Sequence, residues 1–171
     1  MNMVDAVCLV VCATEGPMPQ TRYVLQKALR RGLKPIVVIN KSDRESSRLQ
    51  EVEHEIFDLF ISLDATDEQM EYEIIYASAK NGWASKTPPS KSNNKPNDNI
   101  FPLLELVSEN IKPPQVDLNS ELKILVSQIE SNQFFGKMLI GRINSGIIKV
   151  GQRVCAINQE GKEVDEGKVF K

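Results

Sequence analysis

Strand and helix patterns alternate along the first 111 residues, and this alternation limits the possible folds more than any other feature. Continuous apolar runs, typical of strands buried on both faces of a parallel sheet, occupy residues 5–13, 34–39 and 72–78. Apolar residues at helical spacing follow them in residues 17–31, 45–63 and 100–111. Strands joined by crossovers of this length pair in parallel and carry helices on their faces. The sequence therefore predicts an α/β fold with a parallel sheet and flanking helices.

The period of the pattern changes after Lys112-Pro113-Pro114. Proline cannot continue a helix, so residues 113–120 are predicted to be a linker. Residues 121–171 then show short alternating strands separated by glycines, which is typical of an antiparallel sheet or a small barrel. We therefore predict an α/β domain in residues 1–112, and part of an antiparallel β-barrel in residues 121–171.

Two polar segments within the first domain are expected to lie at its surface. Residues 84–99, ASKTPPSKSNNKPNDN, contain no large apolar side chain. Because such a segment buries too little to offset the entropy of ordering it, we predict a disordered insertion there. The acidic run at residues 64–73 is expected to be solvated surface.

Charge and cysteine content exclude several classes of function. A formal net charge of −2 provides no general basic surface, so DNA is not an expected partner. The three cysteines form no C-x-x-C pair, and we expect no metal site, with Cys8 and Cys12 packed in the core. No apolar run approaches the roughly 20 residues of a transmembrane helix, so no membrane partner is expected. The cytoplasm is the default compartment.

A polar cluster, Asn40-Lys41-Ser42-Asp43, directly follows the apolar run of the second predicted strand. Ligands of parallel α/β sheets bind beyond the carboxyl ends of the strands, which is where this cluster lies. Two interpretations are open. Asp43 caps a helix that begins near Glu45, an ordinary role for aspartate, or the cluster is part of a binding site.

A second polar element, Ser78-Ala79-Lys80, ends the next predicted strand and favours a binding site. Guanine offers two neighbouring N–H donors, which one carboxylate, that of Asp43, can accept together. The amide of Asn40 can reach the ring nitrogen on the other side, and backbone N–H groups near Ala79 can donate to the carbonyl. The long stems of Lys41 and Lys80 can cover the two faces of the base.

These two elements resemble the base-recognition motifs N-K-x-D and S-A-K of GTP-binding proteins. The stretch ATEGPMPQTR resembles the translational GTPases, and VVINKSDR, FDLFISLDATDEQ and YASAKNGWA are similar to one family among them, TypA/BipA. Ser42 occupies the free position of N-K-x-D, which is usually apolar. The resemblance implies guanine contacts at six positions: Asn40, Lys41, Asp43, Ser78, Ala79 and Lys80.

The resemblance also implies a parent protein that binds GTP or GDP and hydrolyses GTP with Mg²⁺ on the ribosome. Its partners would be ribosomal RNA and ribosomal proteins, in the cytoplasm or in an organelle with bacterial-type ribosomes. The region after the linker is similar to the second, β-barrel domain of the family.

Two elements of such a parent have no counterpart in this sequence. No Gly-Lys pair has the flanking residues of the phosphate loop G-x-x-x-x-G-K-[ST], and no Asp is followed three positions later by Gly. Residues 2–5 match family sequence just downstream of these elements, so we expect a fragment with no catalytic residue and no turnover.

Two alternative functions of the chain and one alternative role of a single residue complete the sequence interpretation. The chain can be an interaction module that has lost nucleotide chemistry and acts on the ribosome or on a protein. A dinucleotide-binding domain is disfavoured, because no G-x-G-x-x-G follows a strand. Trp83 either shelters the base site or anchors its loop, and we favour the anchor.

Overall fold

The computed structural model describes residues 3–90, 93 and 95–170, and it divides into two compact units between Pro113 and Pro114. Unit 1 contains the following elements in chain order: β1 (Val7–Cys12), α1 (Pro19–Leu29), β2 (Pro35–Asn40), α2 (Leu49–Ser62), α3 (Asp67–Met70), β3 (Ile74–Ser78), β4 (Trp83–Ser85) and α4 (Phe101–Asn110). The sheet has the order β1-β2-β3-β4, with β1, β2 and β3 parallel and β4 antiparallel to β3. The predicted α/β fold with a parallel sheet and flanking helices is confirmed.

Alternating side chains of β2 enter two separate hydrophobic clusters, one on each face of the sheet. Val37 and Ile39 pack in a cluster that includes side chains of α1 and α2. Ile36 and Val38 pack in the other cluster, together with Leu106 of α4. Helices therefore cover β2 from both sides, which explains its unbroken apolar sequence.

The expectation that the first strand is buried on both faces is wrong for β1. Leu9 and Val11 are buried, but Val10 is 57% exposed and Cys8 is also exposed. The reason is position, since β1 lies at the sheet edge and the cluster around α4 includes no β1 residue. The placement of Cys8 in the core is wrong for the same reason, while Cys12 is half-buried.

The predicted start of the disordered insertion at residue 84 is also wrong. Ala84 and Ser85 are buried residues of β4, which pairs with β3. The N–H group of Ala84 donates to the carbonyl of Asn99 (2.9 Å), which holds the two ends of the segment together. The described residues between them form bends and an isolated bridge, and Lys91, Ser92 and Asn94 lie outside the described residues.

The acidic run at residues 64–73 contains one buried polar side chain. Gln69 of α3 donates through Nε2 to the carbonyls of Leu29 (3.0 Å) and Leu33 (3.2 Å). The short helix is capped by Thr66, whose hydroxyl accepts from the Gln69 N–H. The expectation of solvated surface is therefore wrong for Gln69, which satisfies the carbonyl of the last residue of α1 and that of Leu33 beyond it.

Unit 2 consists of antiparallel ribbons. Its strands are β5 (Lys123–Asn132), β6 (Gly136–Ser145), β7 (Arg153–Ile157) and β8 (Glu163–Lys168). They pair as β5 with β6 and β7 with β8, so the described residues of this unit form two separate two-stranded sheets and no closed barrel. Large apolar side chains stay exposed on these ribbons, including Ile129 of β5 and Val164 of β8. Among the described residues of the chain, no helix has the length and apolarity to cross a membrane.

Candidate functional site

The carboxyl ends of β2 and β3 lie side by side, with Asn40 paired to Ala77. The loop of Asn40 to Asp43 is tied to β3 by the Ser42 N–H, which donates to the carbonyl of Ala77 (3.0 Å). The loop of Ser78 to Lys80 leaves β3 at the same edge. The fold therefore brings the two polar elements of the sequence together, because parallel strands end on the same side of a sheet.

The side chain of Asn40 connects the two loops. Its Oδ1 atom accepts hydrogen bonds from the N–H groups of Lys41 (2.8 Å) and Ala79 (3.0 Å). Of the backbone N–H groups near Ala79 that are predicted to donate to a ligand carbonyl, that of Ala79 itself is bonded within the protein. Because Oδ1 accepts both bonds, the Nδ2 group of Asn40 is left to donate to a ligand, and no described residue accepts from it.

Asp43 does not cap the following helix. Helix α2 begins at Leu49, its N-cap residue is Arg48, and the cap has no side-chain hydrogen bond. The Oδ2 atom of Asp43 instead accepts from the Nδ2 group of Asn81 (3.0 Å), across the gap between the two loops. The helix-capping interpretation is therefore wrong, and the Asp43 carboxylate faces the loop after β3.

The turn between Asn40 and Asp43 has a strained backbone. Lys41 adopts φ = 63°, in the left-handed region that side chains other than glycine rarely enter. Ser42 is buried, and its hydroxyl donates to the carbonyl of Ile39 (2.7 Å). Serine at this usually apolar position thus satisfies a carbonyl at the end of β2. The left-handed backbone conformation of Lys41 costs about 1–3 kcal/mol, and such conformations occur preferentially at functional sites.

The second loop is anchored in the protein interior. Ser78 is buried, and its carbonyl and hydroxyl accept from the N–H group of Asn81 (3.1 and 3.3 Å). Trp83, which pairs with Ser78, is fully buried in the cluster beneath α1 and α2. Its indole therefore packs as an anchor of this loop. The Lys80 side chain is exposed and Lys41 is half-buried.

Arg48 attaches the loop after β1 to α2. Its guanidinium donates to the carbonyls of Thr14 (2.8 Å) and Glu15 (3.1 Å), and it forms ion pairs with Glu55 and Glu51. Hydrogen bonds with Glu55, and then with Glu51, raise the pKa of Arg48 above its ordinary value. Its backbone N–H also donates to the carbonyl of Ala13 (3.0 Å). Arg48 therefore holds the segment between Asp43 and α2 next to the end of β1.

We expect Gly16→Ala to lower the free energy of unfolding more than Gly32→Ala does. Both glycines have positive φ, 75° and 70°, so both changes add a backbone penalty of about 1–2 kcal/mol. Of the two, only Gly16 would place its new Cβ against other atoms, those of the Glu55 carboxylate, so the Arg48–Glu55 pair must shift. Urea unfolding followed by circular dichroism measures both variants. Equal losses in the two variants would contradict the contact.

Sequence reasoning did not identify Asn81 and Arg48 as parts of this region. Asn81 had one available signal, since it is a polar residue directly after Lys80 on the loop of the candidate site. Arg48 had none for its contact with the loop after β1, because Thr14 and Glu15 lie more than 30 positions away in sequence. In the described part of the chain, no three His, Cys, Asp or Glu side chains converge as a metal site would require.

Comparisons with known proteins show the family of this chain. The model of the family "Elongation factor Tu GTP binding domain" matches residues 1–113. The "Large ribosomal subunit assembly factor BipA" of Salmonella typhimurium is 47% identical over 162 residues, and that of Bacillus subtilis is 44% identical over 161 residues. These alignments cover 95% and 94% of the chain, which spans 26% of the length of each relative.

Among solved structures, the fold is similar to that of translation elongation factor SelB from Methanococcus maripaludis. The apo form has a TM-score of 0.63 at 23% identity, covering 96% of this chain and 34% of that one. At this identity the likeness shows the fold alone. The fold and the family match together define the class, the GTP-binding domain of translational GTPases. The chain belongs to the TypA/BipA family of these proteins, as its motifs predicted.

Proposed function

We propose that this chain binds the guanine base of GTP or GDP between the loops that follow β2 and β3. The observation that carries the proposal is the pair of contacts across these loops. Asn40 Oδ1 accepts from the Ala79 N–H group at 3.0 Å, and Asp43 Oδ2 accepts from Asn81 at 3.0 Å. These contacts hold an amide and a carboxylate at one edge of the sheet, which are the two groups that a guanine ring requires.

The hydrogen-bonding capacity of these side chains matches guanine. The Asp43 carboxylate has two oxygens with about four lone pairs, and Asn81 uses one of them. The imino and exocyclic amino groups of guanine can therefore both donate to Asp43, each charge-assisted bond contributing about 1.5–3 kcal/mol. The free Nδ2 group of Asn40 can donate to the ring nitrogen on the opposite edge.

The remaining contacts of the base come from the loop backbone and the lysine stems. Because the Ala79 N–H group is bonded to Asn40, the neighbouring N–H group of Lys80 is the candidate donor to the guanine carbonyl. No described residue accepts from that group. The methylene stems of Lys41 and Lys80 supply apolar cover for the two faces of the ring. Ser78 contributes by holding the loop, since its hydroxyl is bonded to the backbone of Asn81.

The action of the whole protein is a further proposal, because the chain spans 26% of the relatives' length. The matched relatives are named as assembly factors of the large ribosomal subunit, and we propose the ribosome as the partner here, in the cytoplasm or an organelle. The described residues provide no metal-ligand cluster that fits Mg²⁺, so no step through the metal is derived. With no phosphate loop in the sequence, we expect this chain to hydrolyse GTP no faster than background.

The proposal is tested by titrating the isotope-labelled chain with guanosine and with adenosine, and by following the amide resonances of the two loops. We expect guanosine to shift the signals of Ala79 and Lys80 with a dissociation constant of about 1 mM, since the base alone supplies only about 4 kcal/mol. Adenosine lacks the paired donors and serves as the matched control. Equal responses to both nucleosides, or none, would contradict the proposal and favour the interaction module.

A further inference from the structure

We propose that Asn81 is a positioning residue that determines how strictly the site recognises the exocyclic amino group of guanine. This inference rests on the proposed guanine site. Its basis is the hydrogen bond from Asn81 Nδ2 to Asp43 Oδ2 at 3.0 Å, which links the two loops at the carboxylate itself. Asn81 lies outside both recognition motifs, and the resemblance to GTP-binding proteins implies no role for it.

Asn81 is itself held in place by the interior of unit 1. Its backbone N–H group donates to the carbonyl and the hydroxyl of Ser78, which is buried. Gly82 follows with φ = 70°, a conformation that turns the chain directly into β4. The next residue, Trp83, is fully buried. The amide of Asn81 therefore projects from a fixed point, although the side chain itself is exposed.

Asp43 needs such a partner because the bonds that tie its loop to β3 do not involve its carboxylate. Asp43 is half-buried, and among the described residues only Asn81 donates to its carboxylate. A carboxylate accepts two parallel donors only when both of its oxygens lie in the plane of the base, and free rotation about the terminal torsion would lose that alignment. The bond from Asn81 fixes the rotation while it leaves Oδ1 and one lone pair of Oδ2 for the base.

The affinities for guanosine and inosine distinguish a positioning role of Asn81 from a role in the stability of the loop alone. Inosine presents the same ring without the exocyclic amino group, so it gives Asp43 one donor instead of two. A carboxylate that rotates freely can still meet one donor, but it meets two only in the aligned orientation. Loss of the Asn81 bond should therefore weaken guanosine binding more than inosine binding.

The test is Asn81→Ala, titrated with guanosine and inosine by nuclear magnetic resonance. We expect the preference of the wild-type chain for guanosine over inosine to fall by about threefold to tenfold. Asn110→Ala removes the same kind of amide donor, bonded to the Leu106 carbonyl at the end of α4, and should leave the preference unchanged. Partial unfolding would not imitate the effect, because a smaller competent fraction lowers both affinities by the same factor.

The outcomes of this experiment are distinct. A wild-type chain without preference for guanosine would overturn the guanine site, and this inference with it. A wild-type preference that persists in Asn81→Ala, even with both affinities reduced, would show that Asn81 only stabilises the loop. A preference that rises would show that Asn81 competes with the base for Asp43, and it would also overturn the inference.

Discussion

Asp43→Asn is expected to reverse the base preference of the site from guanine to xanthine. The change replaces one acceptor oxygen by an amide donor. That donor would face the exocyclic amino group of guanine, whereas xanthine presents a carbonyl there. A mismatch that leaves polar groups unpaired is heavily discriminated against, so we expect a change in the affinity ratio of at least about 100-fold. Titrations with guanosine and xanthosine measure the ratio.

The contact with Asn81 selects the orientation of the new amide. Asn81 Nδ2 lies 3.0 Å from Asp43 Oδ2, so the substituted side chain would turn its oxygen toward Asn81 and its NH₂ group toward the base. Asp58→Asn, an exposed change on α2, is the matched control and should leave the ratio unaltered. An unchanged preference in Asp43→Asn would remove Asp43 from the site.

The parallel core of unit 1 could be predicted from the sequence because its signals are local. The apolar run of β2 and the helical spacing in α2 each identify an element without reference to its neighbours. The exposure of Val10 could not be predicted, since it depends on which elements pack against β1. Strand β4 was missed because three residues, WAS, are too few to show a period.

For the candidate site too, the sequence indicates the local motifs but not the contacts between distant residues. The motifs identify Asn40, Asp43 and the loop of Ser78 to Lys80, because residue type and spacing carry the hydrogen-bonding pattern. The bond from Ala79 to Asn40 and the bond from Asn81 to Asp43 join residues 38 or more positions apart. Such contacts follow from the parallel pairing of β2 with β3, and sequence spacing alone does not contain them.

Trp83→Ala is expected to lower the free energy of unfolding of unit 1 by about 3–5 kcal/mol, the usual cost of removing a buried aromatic side chain. Trp83 is fully buried and packs in the cluster beneath α1 and α2. All helices in the described residues belong to unit 1, so urea unfolding followed by circular dichroism at 222 nm reports on this unit. Phe101→Ala, at an exposed aromatic residue of α4, is the control and should cost much less.

Trp83→Phe distinguishes the contribution of ring packing to the free energy of unfolding from that of the indole N–H group. The indole Nε1 atom is buried and has no hydrogen-bond partner in the described part of the chain. A buried donor without a partner costs about 1–3 kcal/mol, so its removal offsets part of the lost packing. We expect Trp83→Phe to unfold within about 1 kcal/mol of the wild type. A loss as large as that of Trp83→Ala would show that the N–H group is bonded in solution. Because Trp83 pairs with Ser78, the alanine variant should also weaken guanosine binding, while the phenylalanine variant should retain it.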